Sequence, residues 1–244
     1  MILDPSQVRD RYRSTAPFYD RALLLYRLVG LGRHRRRAVE ALDLQPGDTV
    51  VDLGCGTGAN FTLLHDTVGP EGRIVGVDLT DAMLERARRR AEDEGFDNVV
   101  LVEANVVDYE LPARTAGVLA TFALEMVPEY PSVIRRTAEA LEEGGRLVLL
   151  GLKHPEGWPD WLVDLGVWIN RPFGVSRDYA EFRPWQSLRQ YFTEIEFREM
   201  LAGAAYMAVG RVPPGSPGGL HRRPTPFREE QIDEDDRCRS TGGR

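Results

Sequence analysis

The stretch that decides the fold is Val50-Val-Asp-Leu-Gly-Cys-Gly-Thr-Gly58. It continues a short, nearly all-apolar run that begins at Thr49, and such a run is expected of a central parallel strand buried on both faces. Three glycines follow the run directly and lead into a helix, and a chain without Cβ atoms can turn tightly and approach a ligand closely. The stretch therefore predicts a strand, a ligand-binding loop and a helix, in that order.

Strand and helix signals alternate along the chain after this loop. Strands are predicted over residues 49–53, 73–78, 99–102, 118–122, 146–150, 192–197 and 204–209. The helices between them include Asp81 to Glu94, for which Thr80 is the predicted cap and Gly95 the predicted end. This alternation predicts an α/β fold with a doubly wound, mostly parallel, seven-stranded sheet of the Rossmann-like kind.

Three parts of the chain differ in character. Residues 1–45 are predicted to form an N-terminal helical cover, and residues 46–211 the ligand-binding domain, with a substrate-covering insertion near 155–190. Residues 212–244 are rich in proline, glycine and charge, and are predicted to be disordered. The insertion carries Trp158, Trp161 and Trp168 at helical spacing, a pattern that fits either a core stripe or a lid over an apolar substrate.

Composition and charge exclude some classes of function. The chain has 244 residues and a net charge of −7, which disfavours a nucleic-acid binder. We expect a cytoplasmic protein, because there is no signal-type or membrane-spanning apolar run and because Cys55 and Cys238 are not expected to pair. No metal site is expected, since no His, Cys or carboxylate set has ligand spacing.

Arginines cluster in the run Arg33-His-Arg-Arg-Arg37. Two interpretations are open: peripheral contact with an anionic membrane, or a solvated helix face. His34 lies among these arginines and is expected to be solvated.

Polar side chains stand where the predicted strands end. The glycines at 54, 56 and 58 depart from the Gly-x-Gly-x-x-Gly spacing of dinucleotide sites, because the third comes one residue early. Asp52 suits an ammonium group of a ligand, directly or through water, and Asp78 suits the two hydroxyls of a ribose. Asn105 suits either an adenine edge or a turn. Ligands bind at this edge of such sheets, so these side chains predict a nucleoside site.

Four segments resemble the class I S-adenosylmethionine (SAM)-dependent methyltransferases, and above all the ubiquinone/menaquinone biosynthesis C-methyltransferase family. They are Asp-Leu-Gly-Cys-Gly-Thr-Gly, Gly-Val-Asp with Ala-Met-Leu after it, Val-Glu-Ala-Asn, and Leu-Glu-Glu-Gly-Gly-Arg-Leu-Val. The resemblance covers roughly residues 19–150. It implies SAM as cofactor, with contacts at Thr57, Asp78, Asn105, Val106 and Thr121, and an N-terminal segment containing Tyr19 that folds over the cofactor.

The resemblance weakens where an acceptor would bind. The chain reads Phe122-Ala-Leu-Glu-Met126 after strand four, whereas that family typically reads Phe-Gly-Leu-Arg-Asn, and Leu-Lys-His-Pro follows strand five. A carbon or phenol acceptor must lose a proton during methyl transfer. Three residues are candidates for catalysis: His154 after strand five, Glu125 after strand four, and Tyr19.

The expected function is therefore methyl transfer from SAM to a small or lipophilic acceptor, with a quinone precursor as the leading candidate. N-methylation of a phospholipid amine and O- or C-methylation of a natural product are alternatives within the same chemistry. Two other classes stay open, an NAD-dependent oxidoreductase and a non-catalytic SAM-binding protein.

Overall fold

The computed structural model describes residues 30–170 and 181–213. Its elements, in chain order, are α1 (Leu31–Glu40), β1 (Thr49–Leu53), α2 (Phe61–Val68), β2 (Arg73–Asp78), α3 (Asp81–Glu94), β3 (Val99–Glu103), β4 (Thr115–Thr121), a short 3-10 helix (Leu124–Met126), α4 (Tyr130–Ala140), β5 (Leu141–Leu152), α5 (Asp160–Asn170), α6 (Pro184–Tyr191), β6 (Glu194–Met200) and β7 (Ala205–Arg211).

The seven strands form one sheet in the order β3-β2-β1-β4-β5-β7-β6. The pairs from β3 to β5 are parallel, and β7 runs antiparallel to both β5 and β6. The predicted doubly wound, mostly parallel sheet is confirmed. Strand order reverses between β1 and β4, because the chain first builds outward through β2 and β3 and then returns to the other side of β1. Ligands of such sheets bind at the carboxyl ends of the strands beside this reversal.

Helices cover both faces of the sheet. One apolar cluster joins α1, α2 and α3 to side chains such as Val50 and Ile74, and the other joins α4 and α6 to neighbours such as Val51 and Val75. Successive strand residues point to opposite faces of the sheet. Val50 and Val51, like Ile74 and Val75, are nevertheless all buried, because helices cover both faces. Burial on both faces explains why the central strands are almost continuously apolar rather than alternating.

Strand β5 begins earlier than the sequence predicts. β5 starts at Leu141 instead of residue 146, because a shift of register lets Leu141 pair with Thr115 and Arg146 pair with Gly117. Thr80 is the N-cap residue of α3, as predicted, although its side chain makes no capping hydrogen bond. Gly95 ends α3 in the left-handed conformation, at φ 71°, as predicted.

The predicted N-terminal cover and tail are described only in part. Helix α1 and the loop after it lie within the described residues, whereas residues 1–29 and 214–244 lie outside them. The predicted division of the chain at residues 45 and 211 stays a prediction.

Helix α5 presents an apolar stripe to solvent. Trp161, Leu165, Trp168 and Ile169 follow helical spacing and are 67%, 42%, 69% and 47% exposed, so the core-stripe interpretation is wrong for them. Trp158, just before α5, donates from Nε1 to the carbonyl of Ala202 at 3.0 Å and ties this segment to the β6–β7 turn. Within the described ranges, no helix is long and apolar enough to cross a bilayer.

Replacing Ile134 by alanine tests the packing of α4 on the sheet. Ile134 has no exposed surface, so we expect the free energy of unfolding in urea to fall by about 2–5 kcal/mol through lost burial and a residual cavity. Its neighbour Arg135, whose side chain is 44% exposed, is the matched control, and its alanine variant should change stability by about 0.5 kcal/mol or less. Equal effects at the two positions would contradict this account of the core.

Candidate functional site

The glycine loop after β1 is fastened to the end of β2. The backbone N–H groups of Gly54 and Cys55 both donate to the carbonyl of Val77, at 2.8 and 3.0 Å. Gly54, Gly56 and Gly58 have φ values of 69°, 54° and 72°, a region that side chains other than glycine rarely adopt. The loop therefore keeps its shape only with glycine at these three positions.

The three glycines serve different purposes. A Cβ on Gly54 would lie 2.5 Å from Cβ of Ala123, and one on Gly58 would lie 2.6 Å from the ring of Phe61, so both positions are fixed by packing. A Cβ on Gly56 would meet nothing within 4 Å. The space beside Gly56 is thus open, and a ligand can approach the backbone there.

Asp78, at the end of β2, holds two loops together. Its Oδ2 accepts from the N–H of Gly56 and its Oδ1 from the N–H of Thr80, both at 2.9 Å. Burial raises the pKa of this carboxyl, and the backbone donors oppose that rise by stabilising the anion. The hydroxyl of Thr80 and the backbone of Leu79 also donate to this carboxylate, and its contact with the two hydroxyls of a ribose stays a prediction.

Asp52 lies beneath the loop with no exposed surface. The side-chain amide of Asn60 donates to both of its oxygens, at 3.1 and 3.0 Å. Burial raises the pKa of Asp52 to about 7, although the Asn60 hydrogen bond and the charge of Arg35 lower it. Both oxygens of Asp52 thus bind the amide of Asn60, and contact with a ligand ammonium, directly or through water, stays a prediction.

Arg35 enters this network from α1. Its Nη1 donates to Oδ1 of Asn60 at 2.6 Å and to Oγ1 of Thr121 at 2.9 Å, and the residue is only 9% exposed. The solvated-face interpretation of the arginine run is wrong for Arg35. The other members, Arg33, Arg36 and Arg37, are exposed, which fits both interpretations.

The end of β4 closes the network from the other side. Oγ1 of Thr121 also accepts from the amide of Asn60, at 3.1 Å. The next residue, Phe122, has a φ of 56°, and the guanidinium carbon of Arg35 lies 5.7 Å from the centre of its ring. A left-handed backbone at a bulky residue costs free energy and often marks a functional site.

The predicted adenine contacts lie in the turn after β3. Oδ1 of Asn105 accepts from the N–H of Val107 at 3.1 Å, so its side chain stabilises the turn. Val106 is buried, and its carbonyl accepts from Nη2 of Arg136 at 3.2 Å. Thr57 is buried, with 2% of its surface exposed. Cofactor contact at these residues stays a prediction.

Glu125 lies in the short helix that follows β4. Its Oε1 accepts from the hydroxyl of Tyr206 at 2.7 Å, and both residues are buried. The carboxylate rests directly on the backbone of Gly151, where a Cβ would come within 1.4 Å of Oε1. Burial raises the pKa of Glu125 to about 7, although the Tyr206 hydrogen bond lowers it.

Aromatic rings enclose this carboxyl group. Trp185 and Phe197 lie against Tyr206, with ring centroids 4.5 and 6.0 Å from it. Burial and the neighbouring Glu125 raise the pKa of Tyr206 well above its usual range. Tyr206 therefore stays protonated and always acts as the donor to Glu125.

The remaining catalytic candidates are placed differently. His154 follows β5 and is exposed, and within residues 30–170 and 181–213 no hydrogen bond joins it to Glu125. Tyr19 lies outside the described residues. His34 is half-buried, and burial and the neighbouring arginines lower its pKa, so its predicted full solvation is wrong. The thiol of Cys55 is buried and unpaired with another cysteine.

The structure thus brings the predicted residues into two groups. Asp52, Asp78, Thr121 and the glycine loop meet beside β1, and Glu125 lies two residues from Ala123, the residue that contacts Gly54. Sequence reasoning missed Arg35, Asn60 and Tyr206. Arg35 had a signal, because it keeps helical spacing with the apolar residues of α1; Asn60 and Tyr206 had none beyond their proximity to a motif or a strand.

Comparisons with known proteins agree with this geometry. A family profile described as a methyltransferase domain matches residues 44–156. The demethylmenaquinone methyltransferase of Listeria welshimeri is 25% identical over 210 residues, covering 83% of this chain and 89% of the relative. This chain carries a SAM-dependent methyltransferase domain.

Two further relatives define the limits of the likeness. The 2-phytyl-1,4-naphtoquinone methyltransferase of Thermosynechococcus vestitus is 28% identical to the methyltransferase chain over 219 residues, with 85% and 94% coverage. The solved structure of the cyclase SpnF superposes with a TM-score of 0.66 at 17% identity, covering 87% of this chain and 98% of its own, and shows the shared fold alone. The domain match overturns the oxidoreductase alternative.

The methyltransferase site fits SAM as its cofactor. The open space beside Gly56 admits a ligand to the backbone, and the buried carboxyl of Asp52 and the half-buried carboxyl of Asp78 supply negative charge that suits a cationic nucleoside. SAM supplies an electrophilic methyl group on a positively charged sulfur. Alignment of an acceptor with that methyl group in a water-poor site accounts for much of the rate in such displacements.

Replacing Asp78 by alanine should remove SAM binding. The variant loses the ribose acceptor and also frees the N–H groups of Gly56 and Thr80, so we expect no saturable binding by calorimetry and a stability loss of about 1–3 kcal/mol. Urea unfolding should remain a single cooperative transition. Unchanged SAM affinity would show that the ribose assignment is wrong.

Proposed function

We propose that this methyltransferase transfers a methyl group to a ring carbon of a lipophilic quinol, with Glu125 as the proton acceptor. The observation that carries the proposal is the buried carboxyl of Glu125, held by Tyr206 and two residues beyond Ala123, which packs on the glycine loop. Two relatives are named for naphthoquinone-type acceptors, which supports the same class here.

Glu125 has the properties of a base that works at neutral pH. A general base is most effective when its pKa is close to the working pH, and burial raises the pKa of Glu125 to about 7. An exposed glutamate has a pKa near 4.3 and would bind the proton of a hydroxyl far more weakly. Tyr206 fixes the orientation of the carboxylate by its hydrogen bond, so the oxygen that receives the proton is held in place.

The proposed step is balanced in protons and electrons. Glu125 takes the proton of a ring hydroxyl, and the released electron pair raises the electron density of the neighbouring ring carbon. That carbon forms a bond to the methyl group while the methyl–sulfur bond breaks and its pair returns to sulfur. The ring carbon then loses its own proton, the ring becomes aromatic again, and the ring oxygen takes back the proton held by Glu125, so one proton is released for each methyl group transferred.

The exposed stripe of α5 supports a lipophilic acceptor. Two tryptophans, a leucine and an isoleucine on one helix face suit contact with a prenyl chain or with the membrane surface that holds it. We extend the proposal to this contact and to a cytoplasmic location beside the membrane. This retains the predicted lid role of the insertion near 155–190.

The acceptor is tested by product analysis. The full chain, supplied with labelled SAM, should methylate a short-chain demethylmenaquinol kept reduced with dithionite, and tandem mass spectrometry should place the methyl group on the quinone ring. The oxidised quinone should not react, because it has no hydroxyl proton for Glu125 to remove. A phenol and phosphoethanolamine serve as comparison acceptors for O- and N-methylation, and methyl transfer to either of these but not to the quinol would overturn the proposal.

Glu125→Gln tests the role of the base. The amide has the shape of the acid but takes no proton, so we expect kcat to fall by about 100-fold or more, with SAM affinity within about twofold of the parent. The parent rate should rise with pH through about 7 as Glu125 ionises. An unchanged kcat in this variant would exclude Glu125 as the base.

The pH profile of Tyr206→Phe separates positioning from folding. Loss of the hydrogen bond destabilises the carboxylate, so the pKa of Glu125 rises and the ascending limb of kcat should move to higher pH. Tyr191→Phe is the matched control, because Tyr191 packs on the same apolar cluster without a described contact to Glu125. A shift of equal size in both variants would argue against the Tyr206–Glu125 pair.

A further inference from the structure

Arg35 is an unusual residue for the inner face of a helix. It is 9% exposed in a run whose neighbours Arg33, Arg36 and Arg37 are exposed. Its guanidinium spans α1, the start of α2 and the end of β4 through Asn60 and Thr121. A buried guanidinium costs free energy unless it is paired and hydrogen-bonded, so its place beside Asp52 calls for a function as well as a structural explanation.

We propose that Arg35 recognises the amino-acid end of the cofactor, supplying the positive half of a charge pair whose negative half is Asp52. This inference uses SAM as the cofactor and is independent of which acceptor is methylated. The amino-acid end carries an ammonium and a carboxylate side by side. Arg35 and Asp52 present the opposite charges side by side, joined by Asn60.

Asn60 fixes the direction of this pair. Its Oδ1 accepts from Arg35 and its Nδ2 donates to both oxygens of Asp52 and to Thr121, so the amide has one orientation that satisfies every partner. The cation is thereby held on the β4 side of Asn60 and the anion on the β1 side. A zwitterionic ligand end has one favoured orientation over such a fixed dipole.

The net charge of the buried groups points the same way. Asp52 and Asp78 contribute two negative charges when ionised, and Arg35 contributes one positive charge. SAM carries one net positive charge, which balances the site. Without Arg35 the cofactor carboxylate would face two buried anions and no described cation at this position.

The test compares ligands that differ in one group. S-adenosylhomocysteine has the whole amino-acid end, its decarboxylated analogue lacks only the carboxylate, and methylthioadenosine lacks the amino-acid end altogether. Calorimetry on Arg35→Met should show a loss of about tenfold or more in affinity for S-adenosylhomocysteine. Affinity for the other two ligands should change by about twofold or less.

Two further variants make the result specific. Arg36→Met removes an exposed arginine from the same helix and should leave all three affinities unchanged. Arg35→Lys keeps the charge and one donor, and should recover part of the affinity for S-adenosylhomocysteine.

One measurement uses only the parent protein and so does not depend on whether any variant folds. In the parent protein, the decarboxylated analogue should bind about tenfold or more weakly than S-adenosylhomocysteine. Equal losses for all three ligands in Arg35→Met, or equal binding of the two homocysteine ligands by the parent protein, would overturn the inference. Both outcomes are distinct from a failure of the acceptor proposal, because no methyl acceptor is present.

Discussion

The two hydrogen bonds from Gly56 and Thr80 to the carboxylate of Asp78 are the interaction on which the rest of the site depends. They join the loop after β1 to the turn after β2, and so convert two adjacent strand ends into one rigid edge. The open space beside Gly56 exists because the loop is held in this position. Without these hydrogen bonds, the glycines at 54, 56 and 58 would leave the loop with many conformations of similar energy.

The same arrangement concentrates negative charge where little of it is exposed to water. Asp52 and Asp78 are close enough for each to raise the energy of the other in its ionised form, and burial raises it further. Backbone donors, Asn60 and Arg35 offset part of this cost. A cationic nucleoside would offset the remainder, so the charges of the site suit the ligand class that the domain uses.

The fold was largely predictable from residue pattern, because strands buried on both faces leave a continuous apolar signal and Gly95 left a clear helix end. Strand boundaries failed where tertiary pairing overrode local preference. At Gly144 and Gly145, for example, two glycines that suggest a loop lie inside β5, where Gly145 passes close to the carbonyl of Ala116. A backbone approach of that kind depends on the neighbouring strand and leaves no local trace.

The site was predictable at the glycine loop and at Asp78, where motif and strand end coincide. Arg35 was misjudged because charge was given more weight than spacing: it precedes Ala38, Val39 and Leu42 by three, four and seven residues, the positions that share its helix face. Tyr206 was missed for a different reason. Its partner Glu125 is 81 positions away in the chain, and only the antiparallel return of β7 beside β5 brings them together.

The packing of the Glu125 carboxylate against Gly151 has an evolutionary consequence. A Cβ at 151 would meet Oε1 of Glu125, so the carboxylate can keep its present place beside Tyr206 only while position 151 is glycine. Substitutions at positions 125 and 151 should therefore depend on each other.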